Sequence, residues 1–183
     1  ENYALDLRRG TRHLAALTAQ RASDGPRLIG TWKLDLSDRE LARLHPRQPL
    51  PSFTAAGAGN FETDPAFARL HAIGRAQVSV SRFDSFAPHL ERLAPVSAES
   101  EFALIRTGNS LLVETLTATF STTHPVATLR SLQSFDCDLL TGALKAKDSS
   151  ADWLEGSFVG LPLAWLSGLV DGVTFTGGDL TGD

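Results

Sequence analysis

Methionine is missing altogether from these 183 residues, and cysteine and tyrosine occur once each. A lone cysteine, Cys137, excludes an internal disulfide framework and leaves the redox compartment open. The missing initiator methionine points to a mature or trimmed chain, so any transit peptide would be absent from this sequence. No apolar run reaches the roughly 18 residues a membrane-crossing helix requires, which predicts a soluble or peripheral protein. Positive charge is short as well. A net charge of −4 argues against nucleic acid as a partner, because phosphate contacts need a basic field. There is no Walker A sequence, no Gly-x-Ser-x-Gly elbow, no Gly-x-Gly-x-x-Gly after a strand and no Asn-x-Ser/Thr sequon.

What remains offers little catalytic chemistry. His13, His45, His71, His89 and His124 lie on separate segments, with no pair at zinc-ligand spacing and no cysteine support, so no metal site is expected. Asp136 and Asp138 flank Cys137 and disfavour its thiolate, which predicts an inert thiol. Asp171 and Asp179 bracket Val173-Thr174-Phe175, where turn and cap roles suit them better than an acid/base pair.

The chain instead carries strand patterns. In Leu28–Leu36, Trp32, Leu34 and Leu36 fall on one face and Thr31, Lys33 and Asp35 on the other. Ile73–Phe83, Phe102–Arg106, Leu111–Ser121 and Val126–Cys137 read the same way, with Thr107-Gly108-Asn109-Ser110 as a hairpin connection. Ahead of them, Leu7, Leu14 and Leu17 with intervening alanines predict a helix over Tyr3–Arg21, ended by Ser23-Asp24-Gly25-Pro26. Ser37-Asp38-Arg39-Glu40 has capping-box form and predicts a short helix to about His45. Pro46, Pro49 and Pro51, with Gly57 and Gly59, predict an exposed loop over 46–60. From Trp153 to Val170 the chain is apolar, with Pro162 inside it, and a broken or short helix is expected. That stretch either presents Phe158, Leu161, Trp165 and Leu166 to a membrane or partner, or plugs one end of the fold.

Several stretches together resemble the plastid lipid-associated proteins, or fibrillins, a calycin-like family. They are Arg8-Arg9-Gly10, Gly30-Thr31-Trp32-Lys33-Leu34, the Ile73–Val78 strand with Gly74 and Gln77, Val113–Phe120, and Leu169–Leu180. They stand in family order across nearly the whole chain. Three departures stand beside them: the family's Leu-Tyr-Thr after the Trp is here Asp35-Leu36-Ser37, the C-terminal signature fits only with one inserted residue, and the Arg-rich closing strand after it is missing. The resemblance implies an α+β fold in one domain over 1–183. An N-terminal helix (1–24) would precede a lipocalin-like antiparallel β-barrel (27–183), with Trp32 closing the barrel floor beneath the helix.

It further implies a non-enzymatic protein binding lipid or isoprenoid in the chloroplast, at a thylakoid or plastoglobule surface. No cofactor is required; carotenoid, quinone or acyl lipid would sit among Trp32, Phe83, Phe102, Phe120 and Phe135. A different class of function, an accessory subunit of a larger assembly with the apolar C-terminal segment as contact surface, stays open. So does a small cyclase or isomerase, for which no residue constellation speaks.

Overall fold

A computed structural model describes residues 2–44, 50–83, 91, 94–163 and 178–183. Among these residues the fold is one antiparallel sheet with a single short helix. Its strands are β1 (Asn2–Arg9), β2 (Arg12–Arg21), β3 (Leu28–Ser37), β4 (Ser52–Thr63), β5 (Arg69–Arg82), β6 (Val96–Thr107), β7 (Ser110–Ser121), β8 (Pro125–Ser131), β9 (Phe135–Asp138), β10 (Leu144–Ala146), β11 (Leu154–Pro162) and β12 (Asp179–Gly182). Helix α1 (Asp38–Leu44) sits between β3 and β4. Neighbours follow chain order from β1 to β8 and continue to β11 and β12. β7 divides its partners: Ser110–Val113 pair with β9, which carries β10, and Thr117–Ser121 pair with β8.

The expected α+β class with an N-terminal helix and closed barrel is therefore overturned. Residues 2–21 form a hairpin, closed by Arg9 opposite Arg12 with Gly10 at a φ of 60°. That positive φ is what a tight two-residue turn asks of its first residue, and glycine adopts it without strain. Of the leucines at helical spacing, Leu7 lies on β1 opposite Ala15, Leu17 on β2 opposite Leu5, and Leu14 falls at the irregularity beside Leu7 and Arg8. β1 pairs only with β2 and β12 only with β11 among the described residues, so the sheet is open. The chain exposes 11981 Å², where a compact monomer of this mass exposes on the order of 8,600 Å².

Two further expectations fail. Residues 52–60, read as exposed loop, belong to β4, and residues 154–162, read as helix, form β11. The remainder of the expected C-terminal helix, with Trp165 and Leu166, lies outside the described residues, as does the Val173-Thr174-Phe175 strand. The hairpin at Gly108-Asn109 and the capping box of α1 are as expected. Ser37 N–H donates to Glu40 Oε2 at 3.0 Å, and the Ser37 hydroxyl donates to the same oxygen. The Trp32 strand also holds, as β3.

Register assigns the two faces. Directly opposite residues share a face, so Leu5, Leu17, Trp32, Gly59, Gly74, Phe102 and Leu116 form one row across seven strands. The adjacent row on the other face is Ala4, Thr18, Thr31, Asn60, Ile73, Ala103 and Thr115. One face is apolar and the other mostly polar, the division expected of an antiparallel sheet with a solvated side. Ala19, Phe61, Val113 and Ala118 are the buried side chains of the apolar face. A second buried knot joins Phe135 of β9 to Trp153, edge to face at 5.2 Å between ring centroids.

Candidate functional site

Trp32 does not close a barrel floor. Its indole lies over the glycines of the two next strands, close enough that a methyl at Gly57 would come within 3.0 Å of its Cζ3. A methyl at Gly59 would come within 2.8 Å of its Nε1, and one at Gly74 would strike the ring itself. Gly57 and Gly59 therefore belong to a strand because they leave room for the indole. The ring reaches Phe102 of β6, stacked at 6.0 Å between centroids with planes 17° apart. Phe61 repeats the arrangement over Gly30, where a methyl would lie 2.7 Å from its ring and overlap the Thr18 carbonyl. Trp32 Nε1 is buried without a hydrogen-bond partner.

Of the five aromatics expected to hold a ligand, the structure brings together only Trp32 and Phe102. Phe120 lies on β7 opposite Ala98 and Ala127. Phe135 is committed to Trp153 on a different part of the sheet. Phe83 follows the end of β5. Phe158 and Leu161 stand on β11, Phe158 half-buried and Leu161 buried at 5% exposure, so Leu161 is no contact surface.

A cavity of about 880 Å³ opens at the end of the sheet formed by the starts and ends of β1 to β5. Its apolar lining comes from Tyr3, Ala19, Ile29, Phe61 and Ile73, and its polar lining from Thr18, Thr31, Asn60, Glu62 and His71. Thr18 and Thr31 share a hydroxyl hydrogen bond of 2.7 Å across the β2–β3 ladder. Glu62 accepts from Arg27 Nη1 at 2.6 Å, and His71 Nε2 stands 3.0 Å from Glu114 Oε2 on β7. Such a site suits a molecule with an apolar body and a polar end, since Glu62 at its rim already faces Arg27 while His71 Nε2 is buried without a hydrogen-bond partner. No described group of three or more His, Cys, Asp or Glu side chains is placed to hold a metal ion.

Sequence reasoning passed over these residues for identifiable reasons. Asn60 was hidden in the supposed loop, and Thr18 in the supposed helix. His71 and Glu114 are far apart in sequence and meet only through the β5–β6–β7 ladder. The alternation of Asn60, Glu62, His71 and Ile73 about the Pro65 turn was the signal available.

At the other end, Glu40 collects Arg9 Nη1 at 2.8 Å, Arg12 Nη1 at 3.9 Å and the Ser37 amide. These contacts, led by the Ser37 hydroxyl, pull its carboxyl down from the usual 4.5 to about 2. This cluster ties the β1–β2 hairpin to α1. No protein-family model matches this chain, and comparison with curated proteins and with solved structures finds no match either.

Proposed function

We propose that this chain is a non-enzymatic binder of an apolar ligand of lipid or isoprenoid chemistry, held in the cavity at the β1–β5 end. The observation that carries the reading is the cavity itself. Its size falls within the range of about 300–1,000 Å³ of small-molecule sites, and Ile29 and Ile73 stand there on the same face as Thr18, Thr31 and Asn60. Area burial supplies affinity at about 25 cal/mol per Å² of apolar surface. The hydroxyls and the Asn60 amide would orient one polar end of the ligand. His71 makes no hydrogen bond to a hydroxyl or thiol among the described residues, which fits binding better than nucleophilic chemistry. A plastid lipid surface as the setting is supported by the resemblance to fibrillins alone.

The test is mass spectrometry of organic extracts from the purified chain, together with titration by a fluorescent polyene fatty acid. Ile73 is half exposed, so Ile73→Arg leaves the sheet intact and places a charge in the cavity. The expected result is an extracted lipid or isoprenoid and at least about tenfold weaker probe binding in the variant. Empty extracts without probe binding, or binding that Ile73→Arg leaves unchanged, would overturn the proposal.

A further inference from the structure

The cavity at the β1–β5 end draws most of its side chains from the polar face of the sheet. It spans two rows of that face, two residues apart along each strand. One is the Thr31 row from Ala4 to Ile73; the other begins with Asn2 opposite Gln20 and ends with Glu62 opposite His71. Only Ala4, Ile29 and Ile73 among these side chains are apolar. Gln20 and Asn60 are exposed strand residues, and neither side-chain amide has a hydrogen-bond partner among the described residues. Each amide offers two N–H donors and a carbonyl acceptor. Thr18 and Thr31 bond to each other at 2.7 Å, which leaves one of their two hydroxyl protons and several lone pairs free.

Charged ligand groups fit this arrangement poorly. Arg27 is held by Glu62 and Asp24, each at 2.6 Å, and Glu114 stands 3.0 Å from His71. A phosphate or carboxylate would therefore meet more negative charge than free positive charge. A quaternary ammonium is best held against aromatic rings, and Tyr3, Trp32 and Phe61 belong by register to the apolar face. A neutral group with several hydroxyls meets neither objection, because each hydroxyl donates and accepts as the amides do. We propose that the cavity recognises a glycosyl group through Gln20, Asn60 and the Thr18–Thr31 pair, with Ile29 and Ile73 against its C–H surface. This rests on the reading of the cavity as a ligand site and names the polar end that the ligand carries. The volume of about 880 Å³ admits a sugar together with the first part of an attached chain.

Ligands that differ only in the head group test this. Decyl maltoside and decyl phosphocholine are titrated below their micelle-forming concentrations, by displacement of the polyene fatty acid, and free maltose by calorimetry. Decyl maltoside should bind at least about tenfold more tightly than decyl phosphocholine, the effect of one or two added hydrogen bonds. Gln20→Ala and Asn60→Ala should each remove part of that difference, and the double variant should bring it within about threefold. Both positions are exposed, so circular dichroism should not change. Equal affinity for the two decyl compounds overturns the proposal, as does a difference that the double variant leaves intact. Free maltose binding as tightly as decyl maltoside would support the glycosyl site and overturn the lipid reading. A chain that binds neither the fatty acid nor any of the three compounds overturns both.

Discussion

The middle of the sheet and its far end are held together by different means. From β3 to β6 the strands are long and pair without interruption through their centres, the only register shift lying at the Ser52 end of β4. The side chain that dominates this region, Trp32, rests on backbone, because Gly57, Gly59 and Gly74 put no side chain beneath it. From β8 to β12 the strands are shorter, and the pairing shifts at Phe120/Ser121, where β7 meets β8, and at Phe158/Leu161. Burial there falls on larger side chains: Val126, Phe135 and Leu161 are buried, and Phe135 meets Trp153 edge to face. The middle therefore depends on how closely two backbones and one indole approach, and the far end on how well ordinary side chains fill space. Substitutions that add one methyl separate these two kinds of stability.

The largest effect belongs to Trp32→Ala. It strips the cover from three glycines and removes the Phe102 stacking partner, and no neighbouring side chain can refill the space because the glycines have none. Trp32 is half-buried, so a loss of about 3 kcal/mol of unfolding free energy in urea is expected, the lower end of the range for large aromatic truncations. A loss below about 1 kcal/mol would mean that the indole is a passenger on the sheet.

Gly59→Ala comes next, at about 1–3 kcal/mol or more, as overpacking does. The new methyl would lie 2.7 Å from Gly74 Cα and 2.8 Å from Trp32 Nε1, and would overlap the Ile73 carbonyl. Two of those three neighbours are backbone and cannot rotate away. Gly57→Ala should cost less, since its methyl would stand 3.0 Å from both the Arg75 carbonyl and Trp32 Cζ3. The order of the two melting temperatures is the check. Gly57→Ala melting below Gly59→Ala would contradict the geometry.

These glycines also explain where the sequence misleads. Gly57 and Gly59 behind three prolines have the composition of a loop, and nothing local says that an indole 27 residues upstream of Gly59 will lie across them. The N-terminal hairpin was misread because alanine occupies both faces of β2, at Ala15 and Ala19 on one and Ala16 on the other, which blurs a period of two into a helical one. Arg8-Arg9-Gly10, taken as part of a helix, is the run into a tight turn. By contrast, β3 and the Leu116–Phe120 half of β7 were legible because they alternate, and the Gly108 hairpin and the Ser37–Glu40 pair carry strong local chemistry. The cavity was legible only in fragments. Its residues come from five strands, and only the register brings Thr18, Asn60 and His71 to one end.

The Glu40 cluster tests the hairpin-to-helix tie by pH. A carboxyl held at about 2 when folded, against 4.5 when free, contributes stability that is fully present above about pH 4.5 and lost as pH falls through about 2. Below pH 4.5 the unfolded chain binds the proton more readily, so unfolding gains. Wild-type urea midpoints should thus decline between those values. Glu40→Gln should start lower at neutral pH and decline less steeply over the same interval. Parallel curves would show that the Arg9 and Ser37 contacts to Glu40 do not hold in solution.

The smallest effect sharpens the comparison most. Gly156 in β11 is as much a strand glycine as Gly59, and it pairs with Leu129 in a regular stretch. A methyl there would meet only the Phe158 ring, at 3.5 Å from Cζ, which is ordinary van der Waals contact. Its φ is not in the left-handed region, so alanine fits the backbone as it stands. Removing a glycine from the unfolded ensemble then stabilises by about 0.4–1 kcal/mol, offset in part by the crowding of Phe158. Gly156→Ala should leave the melting temperature unchanged or raise it slightly, while Gly59→Ala lowers it by several degrees. Equal destabilisation by the two would mean that strand glycines in this sheet are needed for chain flexibility or register in general, and that the indole over β4 and β5 has no special part in holding it.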